Sequence, residues 1–171
     1  MIGSIAALLG FIGVSFLAST SGAVFRPGRW YYEELKKPSW NPPSWVFAPV
    51  WSLLFLVMSV AAWLVWREGG FSGLAGVGLA LFLLQLGLNS LWSYLFFGRE
   101  DPRAAFFEVL FLWAAIAATM TVFWMVRPLA GALLVPYLLW VSFASYLNFT
   151  IWRLNPQNAH TKVKEGIPSQ S

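Results

Sequence analysis

The chain has no cysteine, a single histidine (His160) and few charges, with Asp, Glu, Lys and Arg making up 11% of its 171 residues. Without cysteine there is no disulfide framework, thiolate nucleophile or iron–sulfur ligand set. The one histidine sits in a polar C-terminal segment, so no imidazole lies among the apolar stretches to ligate a metal or haem iron. No metal and no cofactor is therefore expected. Charge is scarcest where apolar residues are densest. Stretches at roughly residues 2–25, 44–66, 71–97, 104–126 and 129–152 are each about long enough to cross a bilayer. Together they contain one acid, Glu108, and no base.

What is abundant agrees with that scarcity. Hydrophobic residues make up 58% of the chain, and the mean hydropathy is +0.66, far from the soluble average. The expected fold is all-α, an integral membrane bundle of five transmembrane helices over residues 1–155. A polar segment, 156–171, is expected to be disordered. The first stretch lacks a basic leader and is longer than a signal-peptide core. Ser21-Gly22-Ala23 resembles a cleavage site only loosely, so this stretch reads as a retained helix. The net charge of +4 is too small and too dispersed for nucleic acid.

Basic residues set an orientation. Arg26, Arg29, Lys36 and Lys37 follow the first span, Arg99 and Arg103 the third, and Arg153, Lys162 and Lys164 the fifth. The opposite side holds only Arg67 and Arg127. Cytoplasmic loops collect Lys and Arg, so the N-terminus is expected outside and the C-terminus in the cytoplasm. An odd number of spans also argues against two equal inverted halves of a rocking transporter.

Local chemistry marks the helix ends. Asp101-Pro102 reads as an N-cap followed by proline in the first turn. Arg127-Pro128 closes the fourth helix, because proline disfavours helical geometry in the residue before it. Gly69-Gly70 marks the turn between spans two and three. The longest connection, residues 26–43, carries Trp30, Tyr31, Tyr32 and Trp40 and ends in Pro42-Pro43, a stiff extended approach to the second helix. Its aromatics suit either interfacial anchors or a lid over a pocket.

Polar residues inside spans are costly in lipid and so informative. Gln85, Asn89 and Ser93 recur every fourth residue on the third helix, with Trp92 beside them. Trp140, Ala144 and Asn148 share a face of the fifth, and Trp51 and Phe55 pair on the second. These stripes serve either interhelical hydrogen bonding or an apolar pocket with a few convergent polar groups. Glu108, little more than a turn into its helix, reads as an interfacial carboxylate. Small-residue steps, Gly76-xxx-Ala80 above all, permit close helix approach and suggest a homodimer seam on the third helix.

No catalytic constellation is present: no serine–histidine pair, no carboxylate pair at depth, no phosphate-cradling loop and no lysine within a span. The remaining inventory is aromatic, with 11 Trp, 15 Phe and 5 Tyr, which suits flat, stackable, hydrophobic ligands.

Several motifs in order resemble the TspO family, bacterial relatives of the mitochondrial translocator protein. They are Trp30-Tyr31, the run from Lys37 through Pro38-Ser39-Trp40-Asn41-Pro42-Pro43, Trp51, and Asn89-Ser90-Leu91-Trp92-Ser93 with Phe96-Phe97-Gly98. Val135-Pro136-Tyr137 with Trp140 follows, then Leu147-Asn148 and Trp152-Arg153-Leu154-Asn155. The resemblance spans residues 25–155. It implies a five-helix bundle, often homodimeric, that binds porphyrins such as protoporphyrin IX beneath the first loop. By that resemblance Tyr32, Pro42 and Trp51 line the lid side, Asn89, Trp92 and Ser93 come from the third helix, and Trp140 and Ala144 from the fifth. Trp51 and Trp140 match residues linked in bacterial members to light-dependent porphyrin breakdown. The family's cholesterol motif departs here. Phe149 stands in its tyrosine region and Tyr146 is one residue too far from Arg153, so specific cholesterol binding is discounted. The resemblance leaves three roles: a tetrapyrrole sensor, carrier or scavenger; a photo-oxidative enzyme; or a transporter of porphyrins or other amphiphiles.

Overall fold

The computed structural model describes residues 2–156 and forms helices joined by short connections, with no strand among the described residues. Helix α1 spans Ile2–Val24, α2 Ser44–Gly69, α3 Gly73–Ser93 and α4 Pro102–Val126. The fifth crossing is divided into α5, Pro128–Leu133, and α6, Val135–Leu154. Five helical stretches are long and apolar enough to cross a membrane. Helices satisfy every backbone group internally, which a lipid solvent demands. His160 and almost all of the expected tail lie outside the described residues.

The boundaries follow the local chemistry with two differences. Asp101 caps α4, accepting from the Arg103 and Ala104 amides at 3.1 and 2.9 Å, and Arg127 is extended before Pro128 (φ −152°, ψ 110°). Helix α2 runs on to Gly69, and the chain turns at Gly70, whose φ of 58° suits a residue without Cβ. The first difference is that the fifth crossing is not one helix. Pro136 has no amide hydrogen to offer Ala132, so the helix breaks at Leu134 and restarts. The second is that α3 ends in a wide π turn, Tyr94–Gly98, closed by Arg99 N donating to Tyr94 O at 2.8 Å.

Helix α3 packs along α4, α4 along α6, and α1 against α2 and α3. Helix α1 is peripheral. Among its described side chains only Phe11 and Ser15 are buried, and it is tied to α2 through Ser15 Oγ, 2.8 Å from Ser59 Oγ. The distal half, near Gly70 and Arg127, is filled by rings. Phe82 stacks on Phe123 with centroids 6.3 Å apart, and Phe11 meets Phe82 edge-on. Close backbones make this possible: a Cβ on Gly131 would stand 2.6 Å from Trp124 Cβ. In lipid, where burial gives helices little preference for one another, such packing is a main source of association.

The first connection is folded, not draped. Trp30–Glu34 forms a π turn, and Trp30, Tyr31 and Leu35 are buried against Phe96, Ala105, Leu147 and Ile151. Asn155 clamps this loop from the end of α6. Its Oδ1 accepts from Lys36 N at 3.0 Å, and its Nδ2 donates to Lys36 O at 2.8 Å. Trp40 stacks on Tyr146 at 5.5 Å. Glu108 overturns the expectation of an interfacial carboxylate. It is buried on the inner side of α4, and neither oxygen meets a donor among the described residues. Its place on the inward stripe with Ala105, Val109 and Leu112 outweighs its nearness to the helix end.

Candidate functional site

Beneath the first loop, α1, α2, α3 and α6 enclose a cavity of about 480 Å³, within the usual range for small-molecule sites. Helix α2 supplies its largest wall. Ser44, Ala48, Trp51, Ser52 and Phe55 recur at helical spacing and so point to one side, with Phe47 next to them. Helix α3 contributes Asn89, Trp92 and Ser93, and the π turn adds Phe97. Trp140 and Ala144 come from α6, one and two turns after Pro136. Tyr31 and Tyr32 close the loop side, and Ser19, Gly22 and Ala23 of α1 complete the enclosure.

The rings are held by one another. Trp51 lies 5.7 Å from Phe55 and meets Tyr137 edge-on at 6.1 Å. Trp140 contacts Phe47 edge-on at 5.9 Å. Trp92 stacks on Phe96 at 5.1 Å. Behind the wall, Tyr137 donates to Gln85 Oε1 at 2.7 Å and accepts from Asn89 Nδ2 at 3.2 Å, which fixes the Asn89 amide. Trp140 Nε1 is buried without an acceptor among the described residues. Burial pushes the Tyr31 phenol above its ordinary range. The arrangement offers flat faces and a few neutral polar groups. No charged side chain lines it, and no metal-binding group of His, Cys, Asp and Glu occurs among the described residues.

Of the residues singled out from the sequence, the cavity brings together Tyr32, Trp51, Phe55, Asn89, Trp92, Ser93, Trp140 and Ala144. Pro42 and Asn148 do not line it. Pro42 belongs to the extended approach to α2 and accepts from Asn41 Nδ2 at 3.0 Å. Asn148 sits where α6 meets the start of α4. Its Oδ1 accepts from Trp92 Nε1 at 3.0 Å and its Nδ2 donates to Pro102 O at 2.7 Å. It therefore positions Trp92 from behind the wall. Tyr31, named with the loop aromatics as anchor or lid, lines the cavity; sequence reasoning missed the α1 face, Phe47, Phe97 and the Ser44–Ala48–Ser52 stripe. The stripe was visible as small residues spaced four apart beside Trp51; the α1 face carried no comparable signal.

Gly76 and Ala80 lie away from the cavity, at the distal end of α3. A Cβ on Gly76 would overlap the Phe71 carbonyl, so this glycine already accommodates the chain's own turn, while Ala80 is exposed.

A model of the TspO/MBR family matches residues 4–153. The chain is 48% identical over 147 residues to the tryptophan-rich protein TspO of Chlorobaculum tepidum, covering 85% of this chain and 93% of that one. It is 43% identical to protein CrtK of Rhodobacter capsulatus over 139 residues, 81% of this chain and 86% of the relative. It is 42% identical to the human translocator protein over 151 residues, 86% and 89% of the two chains.

Proposed function

Because the chain belongs to the TspO/MBR family, we propose that this multi-pass membrane protein binds porphyrins or related flat tetrapyrroles in the cavity beneath its first loop, as a sensor, carrier or scavenger. The observation that carries this reading is the convergence of Trp51, Trp92 and Trp140 on one largely apolar space. Each ring offers a stacking face, and Asn89 and Ser93 supply the few polar groups that orient a ligand. Binding relies on shape and stacking, with no protein ligand to iron.

A second reading has its own support. Trp51 and Trp140, both electron-rich indoles, line the same cavity, so a photo-excited porphyrin held there has two oxidisable partners. In that case the protein also degrades its ligand in light and oxygen. Replacing Trp51 or Trp140 with Phe keeps an aromatic face and removes the indole. Protoporphyrin affinity should fall by roughly tenfold or less, about 1.4 kcal/mol, while light-dependent porphyrin loss, followed by absorbance and mass spectrometry, should nearly stop. Degradation at the unmutated rate in both variants would remove the enzymatic reading and leave a binder.

The first loop, the α3–α4 connection and the end of α6 share one face of the bundle, the face with seven of the nine Lys and Arg residues among the described residues. We place that face, and the loop side of the cavity, in the cytoplasm. A reporter fused after Ser171 should be active only there; activity on the other side would reverse the assignment.

A further inference from the structure

The cavity lining carries no charge, yet its loop-side rim holds cations at two points. Lys37 Nζ lies 4.3 Å from the ring centroid of Tyr31 and 6.0 Å from that of Tyr32, both lining residues, and it donates to the Tyr31 carbonyl. On the α1 side, Arg26 Nε donates to Ala23 O at 2.8 Å, and Ala23 and Pro27 line the cavity. Neither cation has a carboxylate counter-charge among the described residues, where the ion pairs are Arg29–Glu33 and Arg127–Glu68. Glu33, the acid on the loop's own π turn, is occupied by Arg29 at 2.6 Å.

Lys37 is partly desolvated, which lowers its pKa below the ordinary lysine range. Tyrosine faces and one carbonyl compensate such an ammonium only in part. An anion reaching the rim would restore full pairing, and a charge-assisted hydrogen bond at a half-buried site is stronger than one in open water. The apolar interior could not take that anion. It has no cation to meet it, and burying an unpaired carboxylate is costly.

We propose that Arg26 and Lys37 form an acid-reading rim. The cavity then selects a flat apolar body with carboxylates along one edge, inserted ring first, with its acid groups held beneath the first loop. This rests on the cavity being the ligand site. It adds what that reading lacks, a basis for orientation and for preferring acidic over neutral rings. The competing source of anions is the lipid phosphate layer, which juxtamembrane cations also meet. That role gives no discrimination between ligands.

The test compares protoporphyrin IX with its dimethyl ester, which has the same ring and no free acid. Full-length protein is placed in phosphatidylcholine nanodiscs and binding is followed by quenching of tryptophan fluorescence. The wild type should prefer the diacid. Lys37→Gln should weaken the diacid by roughly five- to tenfold and Arg26→Gln by about two- to threefold, with the ester within about twofold of wild type in each. Lys37→Arg should retain most of the preference. Raising salt from about 50 to about 500 mM should weaken the diacid more than the ester. An equal loss for both ligands in Lys37→Gln would mean that the lysine merely holds the loop, and overturns the proposal. So does no loss for either, or equal affinity of the wild type for the two. If the wild type binds neither porphyrin, the ligand site itself fails and the rim falls with it. If it binds both but ignores the rim variants, the ligand site stands alone.

Discussion

Aromatic rings fill the distal half of the bundle and surround empty space in the loop-side half, although α2 and α3 run through both. In the distal half Phe11, Phe82 and Phe123 interlock and are buried. In the loop-side half Trp51, Trp92 and Trp140 stand around a cavity of about 480 Å³. The companions of the rings make the difference. Gly78 seats the Phe123 ring and Gly131 lies against the Trp124 backbone, so that a Cβ would stand 3.0 and 2.6 Å from its neighbours. In the loop-side half Ala48, Ala144 and Ser52 face open space, and a Cβ on Gly22 would meet nothing within 4 Å. A small residue closes a gap in one half and leaves one in the other. Aromatic content alone therefore does not locate a site.

The strongest way to break this contrast is to truncate a ring in each half. Phe123→Ala should cost about 3–5 kcal/mol, because it empties a packed position that neighbouring helices cannot fill. It should appear as a large drop in thermal stability in mild detergent, with porphyrin affinity of the surviving folded protein unchanged. Trp51→Phe should leave stability almost untouched. Equal stability losses in the two variants would mean that the two halves are packed alike.

A smaller effect sharpens the boundary between packing and site. Asn148→Leu removes the acceptor of Trp92 Nε1 and strands the Pro102 carbonyl. Hydrogen bonds within membrane bundles are modest, so the cost should be about 1–2 kcal/mol. Porphyrin affinity should fall severalfold because Trp92 loses its fixed orientation. Calorimetry and fluorescence titration of the same preparation check both. A stability loss with unchanged affinity would confine Asn148 to packing.

The crossings and their ends were legible in the sequence because each had a physical cause in the residues themselves. Charge is costly within a span, Asp101 caps α4, Pro128 holds Arg127 out of helical geometry, and the chain turns at Gly70. The α3 and α6 walls were legible because polar and aromatic residues recur at helical spacing. What was hidden depended on which neighbour a face meets. Asn148 shares a stripe with Trp140 and Ala144, yet at its level the neighbour is the start of α4 and not the cavity. Gly76 reads as a helix–helix step, and in the folded chain it also makes room for the Phe71 carbonyl at the α2–α3 turn, which spacing alone does not show. Glu108 lies near a helix end in sequence and inside the bundle in space. The α1 wall consists of serines, Gly22 and Ala23, which carry no pattern apart from the helix they sit on. The π turn at Tyr94–Gly98 has no counterpart in a sequence pattern, whereas the break at Leu134 lies two residues before a proline and was open to a stricter reading of Pro136.

The most direct test fills the cavity and leaves the rest alone. Ala144 lines it one turn along α6 from Trp140, so Ala144→Phe places a ring in the space assigned to the ligand. Titration of metal-free protoporphyrin into the wild type should show saturable binding of one ligand per chain, read from tryptophan quenching. In Ala144→Phe the affinity should fall by at least about thirtyfold, near 2 kcal/mol, while thermal stability changes by about 1 kcal/mol or less because the ring enters open space. A folded Ala144→Phe that binds protoporphyrin as tightly as the wild type would place the ligand elsewhere and contradict the account.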